Sequence, residues 1–252
     1  MDLEFFKQKY GYEVGGIWFP RVTAITDIIA KPGLYKYYGE KESFETARTD
    51  LKKAADWGKL AHKTVEMILK GELPEIHPVI RPSIEAFREW LNKHKIRVFD
   101  IRNDFEKLVL NKDHFYAGKF DAFLEIDAVP GILDLKTSSG IWKESSLQTA
   151  AYFQAFNKEG LKKAQTRWVL RVDQYQECNL CGAQKREKEG IPRITRGDEQ
   201  CPHQWAPLKG VWEFKEFRDH QNDFKIFLAA KEIWEWDNRY WLNQIENYPR
   251  KF

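Results

Sequence analysis

The sequence predicts an α/β protein in which a mixed sheet is flanked by helices and carries a small metal-binding insertion. Three observations lead there. Apolar spacing is helical up to about residue 95, turns to strand alternation between Ile96 and Thr137, and then alternates helix with strand to the end. The three cysteines crowd into 24 residues, Cys178 to Cys201. Finally, 252 residues with 42% hydrophobic and 31% charged side chains suit one large folded unit and argue against wholesale disorder.

The elements follow in order. Val22, Ile25, Ile28 and Ile29 repeat at helical spacing, and Lys31-Pro32-Gly33 is read as the stop. Phe44 to Lys70 carries an apolar stripe through Leu51, Ala54, Ala61, Val65 and Ile68, with Gly71 placed to cap it. Pro78 and Pro82 bracket a loop, and Pro82 suits the first turn of a third helix ending near Lys95. Ile96–Ile101 and Phe105–Leu110 are rich in β-formers. Phe115 to Ile126 alternates, which puts Phe120, Ala122, Leu124 and Ile126 on one face and Asp121, Phe123 and Glu125 on the other. A turn over Asp127–Gly131 returns the chain as Ile132–Thr137. Glu144–Asn157 is predicted helical, Thr166–Asp173 and Lys209–Phe217 extended, and Arg218–Gln244 one long aromatic helix.

Charge and hydropathy exclude little. Forty-one basic against 38 acidic residues leave +3, which neither demands nor forbids a nucleic-acid partner. No run approaches the roughly 20 apolar residues of a membrane span, and Met1–Tyr10 has no apolar export core, so a cytoplasmic protein without membrane attachment is expected.

The chemistry concentrates on the Phe115–Thr137 hairpin. Asp134 and Lys136 are two apart and leave the same face of a strand. A turn centred near Asp127 or Ala128 brings Asp121 opposite Asp134. Two carboxylates that close repel unless a cation lies between them, and Mg²⁺ suits a few carboxylates plus waters and phosphate oxygens. An adjacent lysine can orient a water and offset charge on a phosphoryl transition state. Asp-x-Lys alone is a common surface ion pair. Gly118-Lys-Phe-Asp121, Asp134-Leu-Lys136 and Gln148-Thr-Ala-Ala-Tyr152 in this order are a far more specific pattern.

That pattern resembles the PD-(D/E)XK nuclease superfamily, in particular its RecB-like branch with a Gln-x-x-x-Tyr helix. Trp57-Gly58-Lys-Leu-Ala-His62 looks like the branch's Gly-x-x-x-His element, and Val22-Thr-Ala-Ile-Thr followed by Lys31-Pro32 looks like its opening helix. Viral and bacterial exonucleases, the mitochondrial genome-maintenance exonuclease and the CRISPR adaptation nucleases share this order. The likeness spans about Val22 to Tyr152, with Asp134 where Glu is commoner. It implies a restriction-endonuclease-like fold and hydrolysis of DNA with Mg²⁺ or Mn²⁺. His62, Asp121, Asp134 and the Leu135 carbonyl would be metal ligands, with Glu106 an additional acid. Lys136 would position the water, and Gln148 and Tyr152 would brace the site and the nucleic-acid backbone. Related enzymes favour single strands and ends, and Tyr35, Lys36, Tyr37 and Tyr38 beside Lys31 are candidate DNA contacts, although a buried aromatic cluster explains the rings equally well.

Cys178-Asn-Leu-Cys181 and, after nineteen intervening residues, Cys201-Pro-His203 supply two close-spaced ligand pairs, as a tetrahedral Zn²⁺ site requires. The polar stretch between them has no core of its own. An iron–sulfur cluster is disfavoured: relatives that hold one take a cysteine from before the nuclease core, and here there is none.

The expected organisation is an N-terminal helical region spanning residues 1–95 and contributing His62, a core 96–174, a Cys₃His insertion 175–207 and a closing strand and helix 208–252. The expected partner is DNA, single-stranded or with ends, alongside recombination or replication proteins. Two alternatives stay open: a non-catalytic DNA-binding or assembly module of the same fold, and a structure-specific endonuclease.

Overall fold

Ser43 opens the 26-residue helix α4 (Phe44–Leu69) by accepting the Thr46 amide at 3.1 Å. Gly71 closes it from the left-handed region at φ +82, with its amide on Ile68 and the Glu72 amide on Met67. The apolar stripe therefore ends within a residue of where the sequence places it. The computed structural model describes residues 2–160, 162–188 and 192–249.

Upstream of α4, local chemistry departs from the expected pattern. The segment before residue 21, to which periodicity assigns no element, forms helix α1 (Leu3–Tyr10) and the hairpin β1 (Gly11–Val14) and β2 (Ile17–Pro20). Phe6 and Trp18 anchor it in the core. Helix α2 covers only Val22–Thr26, shorter than the spacing suggests. Lys31-Pro32-Gly33 is not a stop. Pro32 is the first residue of α3 (Pro32–Gly39), where its missing amide costs nothing and its fixed φ is helical. After a 3₁₀ turn at Pro78–Ile80, α5 runs over Arg81–Lys93.

The sheet is built from β3 (Ile96–Val98), β4 (Phe105–Asn111), β5 (Tyr116–Ile126), β6 (Val129–Lys136), β7 (Thr166–Glu177) and β10 (Lys209–Glu216). Strand β3 is shorter than predicted, and the hairpin turn is two residues instead of five. Asp127 and Ala128 both have positive φ, +51 and +68, the primed-turn geometry that matches strand twist. Strand β5 pairs antiparallel with β3 and β4 on one edge and β6 on the other. Between β6 and β7 runs α6 (Glu144–Glu159), and those two strands pair in parallel. Strand β10 pairs antiparallel with β7. This is a mixed sheet flanked by helices.

Two cores sandwich it. Helices α1, α2, α6 and α7 (His220–Asp237) bury Phe6, Ile25, Phe156 and Phe227 against one face. Helices α4 and α5 bury Trp57, Phe87 and Trp90 against the other. Ala122, Leu124 and Ile126 share a face as predicted, the one toward α4 and α5, but Phe120 does not join them. It packs with Phe156 of α6, ring centroids 5.6 Å apart, in the same core as Phe123. Asp121 meets His62 of α4 instead of sharing the face of Phe123. The β4–β5 ladder is interrupted at Glu106, whose φ is +47, opposite Asp121, and it is across this interruption that β5 departs from simple alternation. The expected single C-terminal helix is also interrupted: Asn238 separates α7 from α8 (Arg239–Leu242), its side chain donating to Trp234 O at 2.8 Å. No described helix is long and apolar enough to cross a membrane.

Beyond β7 the insertion contains a short hairpin, β8 (Gln184–Arg186) with β9 (Arg193–Thr195). Cys178 bridges to Trp205 at its base.

Candidate functional site

The β5–β6 ladder pairs residues from Ile126 with Val129 up to Ala122 with Leu133. One step further, Asp121 and Asp134 come opposite each other, as the sequence predicts, and here a side chain takes over from the backbone. Asp121 Oδ2 accepts the Leu135 amide at 2.5 Å, while Oδ1 lies 3.2 Å from His62 Nδ1. Helix α4 can bring His62 this close because Gly58 lets it approach β6. A Cβ on Gly58 would sit 2.9 Å from Thr137 Oγ1.

Asp134 projects toward α6. It is buried, and Lys136 Nζ stands 2.8 Å from its Oδ2. That contact is an ion pair off the hydrogen-bonding direction, because Oδ2 has no aligned donor. Lys136 donates instead to Gln148 Oε1 at 3.0 Å, and Gln148 Nε2 donates to Thr26 Oγ1 at 3.1 Å. A chain of donors thus runs from the lysine through Gln148 on α6 to Thr26 on α2. Thr26 was invisible to motif reasoning as a partner of Gln148, although it closes the Val22-Thr-Ala-Ile-Thr segment. Tyr152, one turn beyond Gln148, is buried between Phe120 and Gly118.

Charge follows this geometry. Burial pushes the Asp134 carboxyl up, Lys136 opposes that, and nearby Asp121 adds to it. For Asp121 the burial penalty is outweighed by His62 and the Leu135 amide, so its carboxyl titrates below the usual range. His62 is held above the ordinary histidine value: burial disfavours its charge, but the Asp121 contact outweighs it. Lys136 is likewise held up by Asp134 against burial. A buried carboxylate with an oxygen lacking an aligned donor, a half-buried carboxylate and an imidazole are a donor set that fits a hard divalent cation. His62 and Asp121 meet each other, whereas Asp134 is turned to Lys136. Among the described residues, only the Cys/His group below closes into a set of three or more His, Cys, Asp or Glu ligands.

Other predicted residues are placed as follows. Glu106 lines the cleft beside His62 and Asp121, but its carboxylate is 2.7 Å from Lys119 Nζ. Glu66, one turn beyond His62, lines the same cleft and pairs with Lys70 at 2.5 Å. Its i, i+4 spacing from His62 was the signal available. Tyr35 is 63% exposed on α3, and Lys36 lies 3.5 Å from Glu40. Neither makes a polar contact with His62, Asp121, Asp134 or Lys136. Tyr37 is buried and Tyr38 stacks on Phe44 at 5.2 Å, so these two rings belong to packing.

The structure brings the four predicted insertion ligands together. Ligand atoms of Cys178, Cys181, Cys201 and His203 lie within 4.8 Å of one another. Cys178 and Cys201 sulfurs are 3.9 Å apart, and Cys181 Sγ is 3.5 Å from His203 Nδ1. Against desolvation, the Leu180 and Cys181 amides bring the Cys178 thiol down to about 6, so this sulfur is poised as a thiolate ligand. The Cys₃His group can hold a metal ion.

No protein-family model and no curated protein matches this chain. The functional reading therefore rests on the geometry and on the motif order.

Proposed function

We propose that the protein is a metal-dependent deoxyribonuclease with a restriction-endonuclease-like fold, acting as an exonuclease on single-stranded DNA or DNA ends. The observation that carries this reading is the Asp134 oxygen: buried, without an aligned donor, opposite Asp121 and beside Lys136. This buried carboxylate has Lys136 as its counter-charge and an oxygen still free to take a cation.

Asp121, Asp134 and His62 would hold Mg²⁺ or Mn²⁺, with the Leu135 carbonyl as a further ligand. When bound, the ion would polarise a phosphate oxygen and lower the pKa of a water. Lys136 does the rest of the positioning. Its ammonium, fixed by Gln148, orients the attacking water and offsets charge gathering on the phosphoryl oxygens. Gln148 shares the lysine's ammonium with Asp134, and Thr26 fixes which way the amide points. The Cys₃His group would carry Zn²⁺, whose tetrahedral preference and affinity for thiolate and imidazole suit it.

The test is cleavage of end-labelled single-stranded DNA in Mg²⁺, Mn²⁺ or EDTA by wild type and Lys136→Ala. Metal-dependent cleavage, reduced roughly a hundredfold or more in the variant, is the expected result. A circular single strand should survive, and its cleavage would replace the exonuclease reading with an endonuclease. DNA binding without cleavage by wild type would replace it with a binding module. Saturating Mg²⁺ at ten times its Kd should also stabilise wild type by about 1.4 kcal/mol and leave Asp134→Ala unmoved.

A further inference from the structure

The insertion meets the rest of the protein at a buried carboxylate. Asp173 on β7 is fully buried and draws three cations: Arg186 Nε at 2.7 Å, Arg171 at 3.2 Å and Lys188 at 3.2 Å. Lys188 reaches further. Its ammonium donates to the carbonyl of Thr137, the residue after Lys136, and lies 4.5 Å over the ring of Trp57 on α4. One side chain of the insertion therefore touches the end of the strand carrying Asp134 and Lys136, the neighbouring strand, and the helix carrying His62. On the returning strand, Arg193 lies 5.2 Å over Tyr37 of α3.

The hairpin that presents Lys188 has only three residues per strand, too few to hold a conformation by pairing alone. The two ends of this segment are the ligand pairs Cys178/Cys181 and Cys201/His203. A metal ion that joins them closes the loop, and a closed loop presents Lys188 to Thr137 at a high effective concentration.

We propose that a zinc ion at Cys178, Cys181, Cys201 and His203 acts as a remote clamp on the β6 end of the site, with Lys188 as the positioning residue that transmits it. The consequence for catalytic-ion binding rests on the nuclease reading above, whereas the clamp itself does not. Lys188→Met leaves Asp173 Oδ2 with Arg186 and Arg171 but takes from Oδ1 its cation, so Lys188→Arg, which keeps a charge there, is the paired control.

The experiment is amide hydrogen exchange over Lys136–Gly140 in the full chain, zinc-loaded and after chelation, for wild type, Lys188→Met and Lys188→Arg. Calorimetric titration with Mn²⁺ is run on the same samples. Zinc should slow exchange there by roughly tenfold or more in wild type and tighten Mn²⁺ binding by a similar factor. Lys188→Met should still take one zinc per chain but lose both effects, and Lys188→Arg should keep a fraction of them. Exchange at Lys136–Gly140 indifferent to zinc, or full protection in Lys188→Met, would overturn the clamp. So would protection lost equally across the whole sheet on chelation, which marks a general staple. If Lys188→Met does not fold, chelation of wild type alone decides. Absence of Mn²⁺ binding and of cleavage in wild type would defeat the nuclease reading and leave the exchange result to judge the clamp.

Discussion

Tyr152 fills the space that a side chain on Gly118 would need. A Cβ built on Gly118 falls 2.4 Å from Tyr152 Cε1 and 2.8 Å from Val22 Cγ2. The glycine of the Gly118-Lys-Phe-Asp121 segment and the tyrosine of the Gln148–Tyr152 helix are thus one packing unit, in which β5 admits the α6 ring at close range. Gly118→Ala should destabilise the fold by roughly 1–3 kcal/mol through overpacking. Tyr152 would also be pushed off its position behind Asp121 and Asp134. Chemical denaturation reads the first effect and nuclease assay the second. A variant with unchanged stability would show that the ring shifts freely, and Tyr152 would lose its role as a fixed brace.

A second expectation concerns acid stability. Arg167 Nε donates to His220 Nδ1 at 3.0 Å, and the imidazole stacks on Phe153 at 4.2 Å with a 4° tilt. Accepting that bond requires a neutral Nδ1. Burial, and then the Arg167 charge, hold His220 below the ordinary histidine value of 6.5. Above 6.5 the ring is neutral folded or unfolded. Below it, the unfolded chain binds a proton that the folded protein refuses, so stability falls as pH drops until the lower folded value is passed. One proton limits that slope to about 1.4 kcal/mol per pH unit. Urea midpoints taken downward from pH 6.5 should decline in wild type and flatten in His220→Asn, which keeps an acceptor without titrating. Equal slopes in the two proteins would show that His220 does not set the acid limb.

What could be read from the sequence divides along physical lines. The α4 stripe with its Gly71 cap, the turn at Asp127–Ala128 and the meeting of Cys178, Cys181, Cys201 and His203 were legible, because each is fixed by local pattern or short spacing. Phe120 was misplaced because alternation assumes an unbroken pleat, and the β4–β5 ladder is interrupted between the pairs Phe105–Ala122 and Lys107–Phe120. Pro32 was misread because proline both ends and begins helices, and only the following residues decide which. Lys188 and Asp173 carried no motif, and Thr26 lay in one that gave no sign of Gln148. Their importance comes from pairings across 51, 15 and 122 positions of sequence, which no local rule can see.

Two glycines of the insertion separate backbone strain from the metal site. Gly182 and Gly197 share the same left-handed φ of +71, yet their surroundings differ. A Cβ on Gly182 meets open space, whereas one on Gly197 falls 2.8 Å from Cys181 Sγ and 2.6 Å from Ala183 Cβ. Alanine at either position should cost about 1 kcal/mol for the backbone alone. Only Gly197→Ala should also displace a ligand sulfur, and with it lower zinc affinity by roughly tenfold or more. Competition against a chromophoric chelator measures that ratio. Equal affinities in the two variants would mean that Cys181 can shift and still ligate, so that Gly197 does not shape the site.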